Sequence, residues 1–405
     1  MKKIAIISSG YFPVPAVKGG AVETLIEKLI ISNELNHFYD FEVYSTFDKQ
    51  AEKLSDYRYT KVEYIRDDKL MEKIDNIIYA IARIFIKSSK QMSFRYIMHR
   101  IKYIWCVSKR LRDNNYDYVL IENTATLFWC LKLFGNAKRY KDKILYHVHN
   151  EVHNTFGCKK LICKSRTILG VSQYINKSLE KKFVKIDKNK FRVLYNVVDL
   201  EKLETASKKR KYIREKYRIK DEEIVFLFAG RICKEKGIYE VINAFSHIKN
   251  DNVKLIVAGN YYFGTNLVND FEKKIHDMVE KYKEKVIFTG FIPNKEIGAY
   301  YSAADITILP SIWEEPAGLT VLESMAATSG VTITTNSGGI PEYMGNKNGI
   351  ILDKNNPEFI ENLTFIMNEM INDEKQRKEY EKLGKKRVKK FNYIDYIKYF
   401  RNCIE

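Results

Sequence analysis

Two hydrophobic patterns alternate along this chain. Short, continuous runs rich in Ile, Val and Leu end in a glycine or a polar turn, and amphipathic stretches of helical period follow them. The first series predicts strands at 3–8, 41–45, 118–122, 143–149, 167–171 and 191–195, with helices at 21–33, at 124–134 and from Ser172-Gln173 onward. A charged stretch, 202–215, reads as linker plus helix. A second series predicts strands at 224–229, 254–258, 286–288, 306–309 and 331–334, with a helix at 319–327. Alternating strands and helices imply parallel sheets. Two such series, split near residue 200, imply an α/β protein with two Rossmann-like domains, 1–200 and 201–390, whose strand ends face each other across a cleft. No internal repeat or low-complexity tract is present.

Bulk properties narrow the picture. The chain has 405 residues, 45% of them hydrophobic, enough for two ordinary domains. No apolar run approaches the roughly 20 residues that span a bilayer. The apolar core of the N-terminus, Ile4 to Ile7, is too short for a signal peptide, so a buried first strand is expected. Six cysteines (Cys106, Cys130, Cys158, Cys163, Cys233, Cys403) lack metal-type pairing and fit free thiols in a reducing cytoplasm. The net charge of +18 is concentrated: 76–112 holds no acidic residue but carries Arg83, Lys87, Lys90, Arg95, Arg100, Lys102, Lys109, Arg110 and Arg112. Phe94, Tyr96, Tyr103 and Trp105 interleave with them. Aromatics and cations at helical spacing fit a segment lying on an anionic membrane surface. A solvated helix is the plainer reading. No nucleic-acid motif accompanies the patch, and no nucleic-acid partner is expected.

The chemistry concentrates at strand ends. The run 304–310 (ADITILP) reads as a buried strand, 319–327 as a helix, and Pro316 and Gly318 mark the turn between them. In open parallel sheets, ligands bind where strands end and helices begin, and a helix N-terminus suits phosphate. Glu315 precedes that helix and Glu323 lies one turn inside it. Carboxylates on both sides of an anion site suggest a phosphate with hydroxyl-rich groups at each end, as in a nucleotide sugar. In the loop after 224–229, Arg231 and Lys236 can neutralise a leaving diphosphate. Gly19-Gly20 opens a helix containing Glu23 and lets backbone N–H groups approach a phosphate. His147, His149 and His153 crowd another strand end. They suggest a metal, but a polar pocket wall in which a neutral His meets a sugar hydroxyl is the preferred reading. The chain has no Asp-x-Asp pair, the usual arrangement for a divalent ion on a diphosphate.

These residues together resemble the family 4 retaining glycosyltransferases of the GT-B fold. The resemblance rests on Arg231/Lys236, on Glu315/Glu323 with Pro316-Ala317-Gly318-Leu319 between them, and on Gly338-Gly339-Ile340-Pro341-Glu342. Asn196-Val197-Val198-Asp199 and Gly290-Phe291-Ile292-Pro293 add to it. The resemblance implies a nucleotide-diphosphosugar donor, a UDP-sugar ahead of a GDP-sugar, retention at the anomeric carbon, and no metal or other cofactor. By motif match, Arg231 and Lys236 hold the diphosphate, Glu315 the transferred sugar and Glu323 the ribose. Gly318, Leu319, Gly19 and Gly20 cradle phosphates, Ile292 meets the base, and His149 lies near the sugar with His147 as its alternative. Residues 391–405 resemble the helix that crosses back onto the first domain. Thr328 and Gly330 depart from the family pattern at a helix end. Ala317 stands where an aromatic is frequent, which leaves room beside the donor.

The expected protein is therefore a cytoplasmic enzyme peripheral to the inner face of the cell membrane. The expected acceptor is a lipid-linked saccharide in bacterial capsule or cell-surface polysaccharide synthesis. The alternatives are a transferase acting on a protein or small soluble acceptor, and a non-catalytic binding protein on the same scaffold.

Overall fold

In a computed structural model, which describes residues 1–66, 68–86, 94–260 and 270–405, the chain divides into two compact units. One comprises Met1–Tyr195 with Tyr393–Glu405, the other Asn196–Asn392.

The first unit is built on a seven-stranded sheet of order β3-β2-β1-β4-β5-β6-β7. Its strands are β1 (Lys2–Ile7), β2 (Tyr39–Thr46), β3 (Thr60–Ile65), β4 (Tyr118–Glu122), β5 (Ile144–Val148), β6 (Thr167–Gly170) and β7 (Phe191–Val193). Every pairing is parallel. Ile4 to Ile7 and Val119 to Ile121 are wholly buried, as expected of strands covered on both faces. The second unit holds a six-stranded parallel sheet, β10-β9-β8-β11-β12-β13. Its strands are β8 (Ile224–Ala229), β9 (Val253–Ala258), β10 (Val286–Gly290), β11 (Ile306–Leu309), β12 (Val331–Thr335) and β13 (Ile350–Leu352). Its core packs Phe226, Phe228, Ile242 and Phe245 against Leu363 and Met367. In each sheet the strand order reverses once, between β1 and β4 and between β8 and β11. Such switch points are where open α/β sheets bind ligands.

The hydrophobic pattern finds the outer strands β7 and β10 but misses the other two, β3 and β13. Thr60-Lys61-Val62-Glu63-Tyr64-Ile65 alternates charged and apolar residues and is half-exposed at the sheet edge. The single helix expected at 124–134 is instead a 3-10 turn, Ala125–Phe128, followed by a short helix, Trp129–Lys132. Phe134 and Gly135, both at positive φ, break what would follow. The charged stretch expected to be linker plus helix is helical nearly throughout. It forms helices Leu200–Ser207 and Arg210–Lys216, with the Asp199 side chain capping the first. Arg210 and Arg214 both pair with Asp305, at 2.7 and 3.3 Å. Helix Tyr396–Ile404 belongs to the first unit, where Ser32 accepts from the Ile397 N–H and donates to the Ile394 carbonyl.

The basic segment 76–112 falls on two helices, Lys69–Phe85 and Ile97–Asp113. Lys87 and Lys90 lie outside the described residues. The buried Asp75 carboxylate joins the pair by accepting from the Met98 and His99 N–H groups, which caps the second helix. The second helix is in turn fixed to the loop after β1. His99 Nε2 meets the Gly10 carbonyl at 2.7 Å, Tyr103 donates to the Tyr44 carbonyl at 2.7 Å, and Arg100 donates to the Ser9 carbonyl. Arg100 and Tyr103 are buried, which corrects their placement among the residues meeting a membrane. Arg110 and Arg112 pair with Glu63 and Asp113. Arg83, Arg95, Lys102 and Lys109 remain among the described cations. Ile77, Ile81, Ile84, Phe85, Ile101 and Trp105 are all at least half exposed. On Lys69–Phe85 they recur every three or four residues, which gives one apolar face turned to solvent.

Candidate active site

Each switch point carries a cluster of the residues singled out above. In the second unit, β8 ends at Ala229, and Arg231 and Lys236 lie in the loop that follows, Lys236 closing a 3-10 turn. Gly237 then adopts a left-handed conformation where a Cβ would collide with the Pro310 carbonyl, so the loop packs directly on the end of β11. The Glu235 carbonyl accepts from the Ile312 N–H at 2.9 Å. This lacing brings Lys236 Nζ onto the Glu315 carboxylate, which also accepts from Ser311 Oγ at 2.8 Å. Both side chains are mostly buried, at 21% and 12% exposure, so the pair sits where charge is weakly screened. Arg231 is exposed beside it and makes no ion pair among the described residues.

The backbone of Glu315 is held by the motif Gly338-Gly339. The Gly339 N–H donates to the Glu315 carbonyl at 2.7 Å, and Gly338, at φ 52°, leaves no space for a Cβ against Glu315. Neighbouring Glu314 accepts from the Gly338 N–H and pairs with Lys354 Nζ at 2.7 Å. Helix Leu319–Ala327 begins at Gly318 with no side chain capping its first turn, which leaves its leading N–H groups for solvent or an anion. Glu323 lies on this helix, within electrostatic reach of Tyr301. Burial raises that phenol well above its ordinary range, and the charge of Glu323 adds to the shift. Ile292 is half-buried in the loop beyond β10.

In the first unit the switch point lies between the β1 loop and the end of β4. Gly19 and Gly20 have φ of 78° and 100°, and Gly20 begins helix Ala21–Asn36 without a side-chain cap. Glu23, inside that helix, is buried and accepts from Ser9. Burial raises its carboxyl above the ordinary range, and nearby Glu122 adds to the effect.

Glu122 was not anticipated from the sequence. It ends β4, is 1% exposed, and pairs in register with His147 of β5. Residues two apart on a strand share a face, so His149 joins them. Glu122 Oε2 lies 3.1 Å from His147 Nδ1 and 2.9 Å from His149 Nε2. The three side chains offer ligand atoms within 4.8 Å of one another, a spacing that would admit a divalent cation. The same groups lie within hydrogen-bond distance of one another. Burial and the neighbouring His147 push the His149 imidazole down to about 4. For Glu122 burial alone would raise the carboxyl, but the two imidazoles outweigh it and keep it ionised.

Both shifts make the fold sensitive to acid. Between the ordinary imidazole value near 6.5 and about 4, an unfolded chain protonates His149 while the folded chain does not. The unfolded state then binds more protons, and stability falls as pH drops. Melting temperatures between pH 7 and pH 5 should therefore fall more steeply for the parent than for His149→Gln. Parallel slopes would mean His149 is not held neutral.

Comparison with known proteins agrees with this architecture. Residues 209–387 match the family Glycosyl transferases group 1. The putative glycosyltransferase YtcC of Bacillus subtilis is 26% identical over 374 residues, 87% of this chain and 80% of that protein. A Campylobacter jejuni enzyme, N-acetylgalactosamine-N,N'-diacetylbacillosaminyl-diphospho-undecaprenol 4-alpha-N-acetylgalactosaminyltransferase, is 25% identical over 70% of this chain and 75% of its own. HepE of Anabaena, solved with UDP, superposes with a TM-score of 0.70 at 17% identity, over 99% of both chains. The protein is a glycosyltransferase with the GT-B fold. The family match covers most of the second unit.

Proposed function

We propose that the protein is a retaining, metal-independent glycosyltransferase that moves a sugar from a nucleotide-diphosphosugar to a lipid-linked saccharide at a membrane surface. The observation that carries this reading is the Lys236–Glu315 pair at the β8/β11 switch point, beside the uncapped helix at Gly318. A diphosphate at that helix end meets Lys236 and Arg231. The sugar beyond it meets Glu315, and the ribose on the other side meets Glu323. Within the first unit, Gly19 and Gly20 are assigned to phosphate and His149 to a sugar hydroxyl; within the second, Ile292 is assigned to the base. A UDP-sugar is favoured because HepE was solved with UDP. An undecaprenyl-type acceptor is favoured by the activity the Campylobacter relative is named for and by the apolar, basic helix pair.

The reaction follows from these roles. The bond between the anomeric carbon and the phosphate oxygen breaks as the acceptor oxygen attacks from the same face. The acceptor proton passes to the departing phosphate oxygen, so no protein base is required. Lys236 and Arg231 stabilise the charge that grows on the diphosphate.

The test is a thermal-shift screen over UDP-, GDP-, dTDP- and CMP-sugars, followed by calorimetry on two variants. A ligand at 100 times its Kd adds about 2.7 kcal/mol of stability. Glu323→Gln should weaken binding of free UDP, because the ribose contact is present in nucleotide and donor alike. Glu315→Gln should spare UDP binding and lower turnover. Equal effects of the two changes on UDP binding would overturn the assignment.

A further inference from the structure

We infer that Glu122 is a positioning residue that fixes the tautomers of His147 and His149, so that the spare nitrogens of both rings can only accept hydrogen bonds. The inference rests on the proposal that His149 lies at the transferred sugar, and it adds the chemistry this contact recognises. An ionised carboxylate offers acceptors alone. The two nitrogens facing Glu122, His149 Nε2 at 2.9 Å and His147 Nδ1 at 3.1 Å, must therefore carry the hydrogens. In the neutral rings that leaves His149 Nδ1 and His147 Nε2 with lone pairs. His147 Nε2 is buried and has no partner among the described residues. A buried acceptor left unpaired is costly, so a hydroxyl arriving there supplies what the fold lacks.

The consequence for recognition is directional. Two imidazole lone pairs welcome an O–H and repel the oxygens of phosphate or carboxylate. The first unit's switch point is then divided. The N–H groups at Gly19-Gly20 suit an anion, and the histidine wall suits a hydroxyl-bearing ring. Glu122 does not touch the sugar in this scheme. It acts through the rings, 4.1 Å apart at their centroids, by holding each in one tautomer and one orientation.

Imidazole ¹⁵N–¹H spectra of the full chain, with His149 and His147 assigned by single substitution, read the tautomers directly and without substrate. The parent should show hydrogen on Nε2 of His149 and on Nδ1 of His147. Glu122→Gln should shift both patterns. It should also lower kcat/KM for the donor on the order of 10- to 100-fold, as expected when an orienting carboxylate is removed from an imidazole, with UDP affinity unchanged. The loss should be smaller for a deoxy-sugar donor that lacks the recognised hydroxyl. Should Glu122→Gln fail to fold, His147→Asn provides the second arm: it keeps the Glu122–His149 contact, and the Nε2–H signal of His149 should persist. A parent spectrum with hydrogen on His149 Nδ1 overturns the inference, as does a stoichiometric divalent ion whose removal by EDTA changes the spectrum. Because the tautomers are read without turnover, a chain that shows them but transfers no sugar disproves the proposed function while leaving the role of Glu122 standing.

Discussion

Lys236→Ala will lower turnover on the order of 100-fold or more, while the parent enzyme keeps its activity in excess EDTA. The first half follows from burial and charge. Lys236 is mostly buried and rests on Glu315, so its ammonium is already fixed in a weakly screened site before any diphosphate arrives. Removing a preorganised donor of this kind typically costs 10²- to 10³-fold. It also leaves the Glu315 carboxylate without its cationic partner, where it would repel an incoming phosphate. The second half follows from the cations themselves. Lys236 and Arg231 supply at the β8 loop the positive charge that a divalent ion supplies elsewhere, and the sequence has no Asp-x-Asp pair to hold one. Activity lost in EDTA and restored by Mn²⁺ would reverse this assignment.

Sedimentation with liposomes will show binding that requires anionic lipid and declines with salt. Four described cations of the helix pair, Arg83, Arg95, Lys102 and Lys109, are neither buried at the β1 loop nor paired with an acid. Each contributes about 1 kcal/mol near an anionic surface, and physiological salt screens beyond about 8 Å. Charge alone therefore gives weak, reversible attachment. The exposed Ile81, Ile84, Phe85 and Trp105 add an apolar face able to enter the headgroup region. Arg83, Arg95 and Lys102 changed together to Glu should release the protein from vesicles. Changing Ile81, Phe85 and Trp105 to Ser should weaken binding even at low salt. UDP binding should persist in both. A parent that ignores anionic vesicles at low salt would remove the main support for a lipid-linked acceptor. Arg100 is unsuitable for such a test, because reversing a guanidinium bonded to Ser9 and stacked on Tyr11 would damage the loop after β1.

The central strands were legible because burial on both faces leaves nearly unbroken apolar runs, such as Ile4 to Ile7 and 306–309. Two of the four outer strands were not, since β3 mixes charge with apolar residues and β13 has only three residues. The grouping of Arg231, Lys236, Glu315 and Glu323 near one sheet end could be anticipated from strand-to-loop transitions. The direct Lys236–Glu315 contact could not, because it joins positions 79 apart in sequence and depends on β8 and β11 being neighbours. Glu122 escaped notice for the same reason: it looks like the polar end of an ordinary strand until β4 and β5 are set in register. In the basic segment, composition shows the cations but not which way each points, and the burial of Arg100 emerges only once the helix is set against Ser9 and Gly10.

The close fit of Gly338 against Glu315 has a consequence for heritable variation. Position 338 is assigned no contact with donor or acceptor, yet any side chain there displaces the backbone of Glu315, the carboxylate proposed to meet the sugar. Its tolerance to change is set by volume and by its left-handed backbone, and even alanine is too large. A defect arising there would mimic the loss of a reactive group while every reactive group remained in the chain.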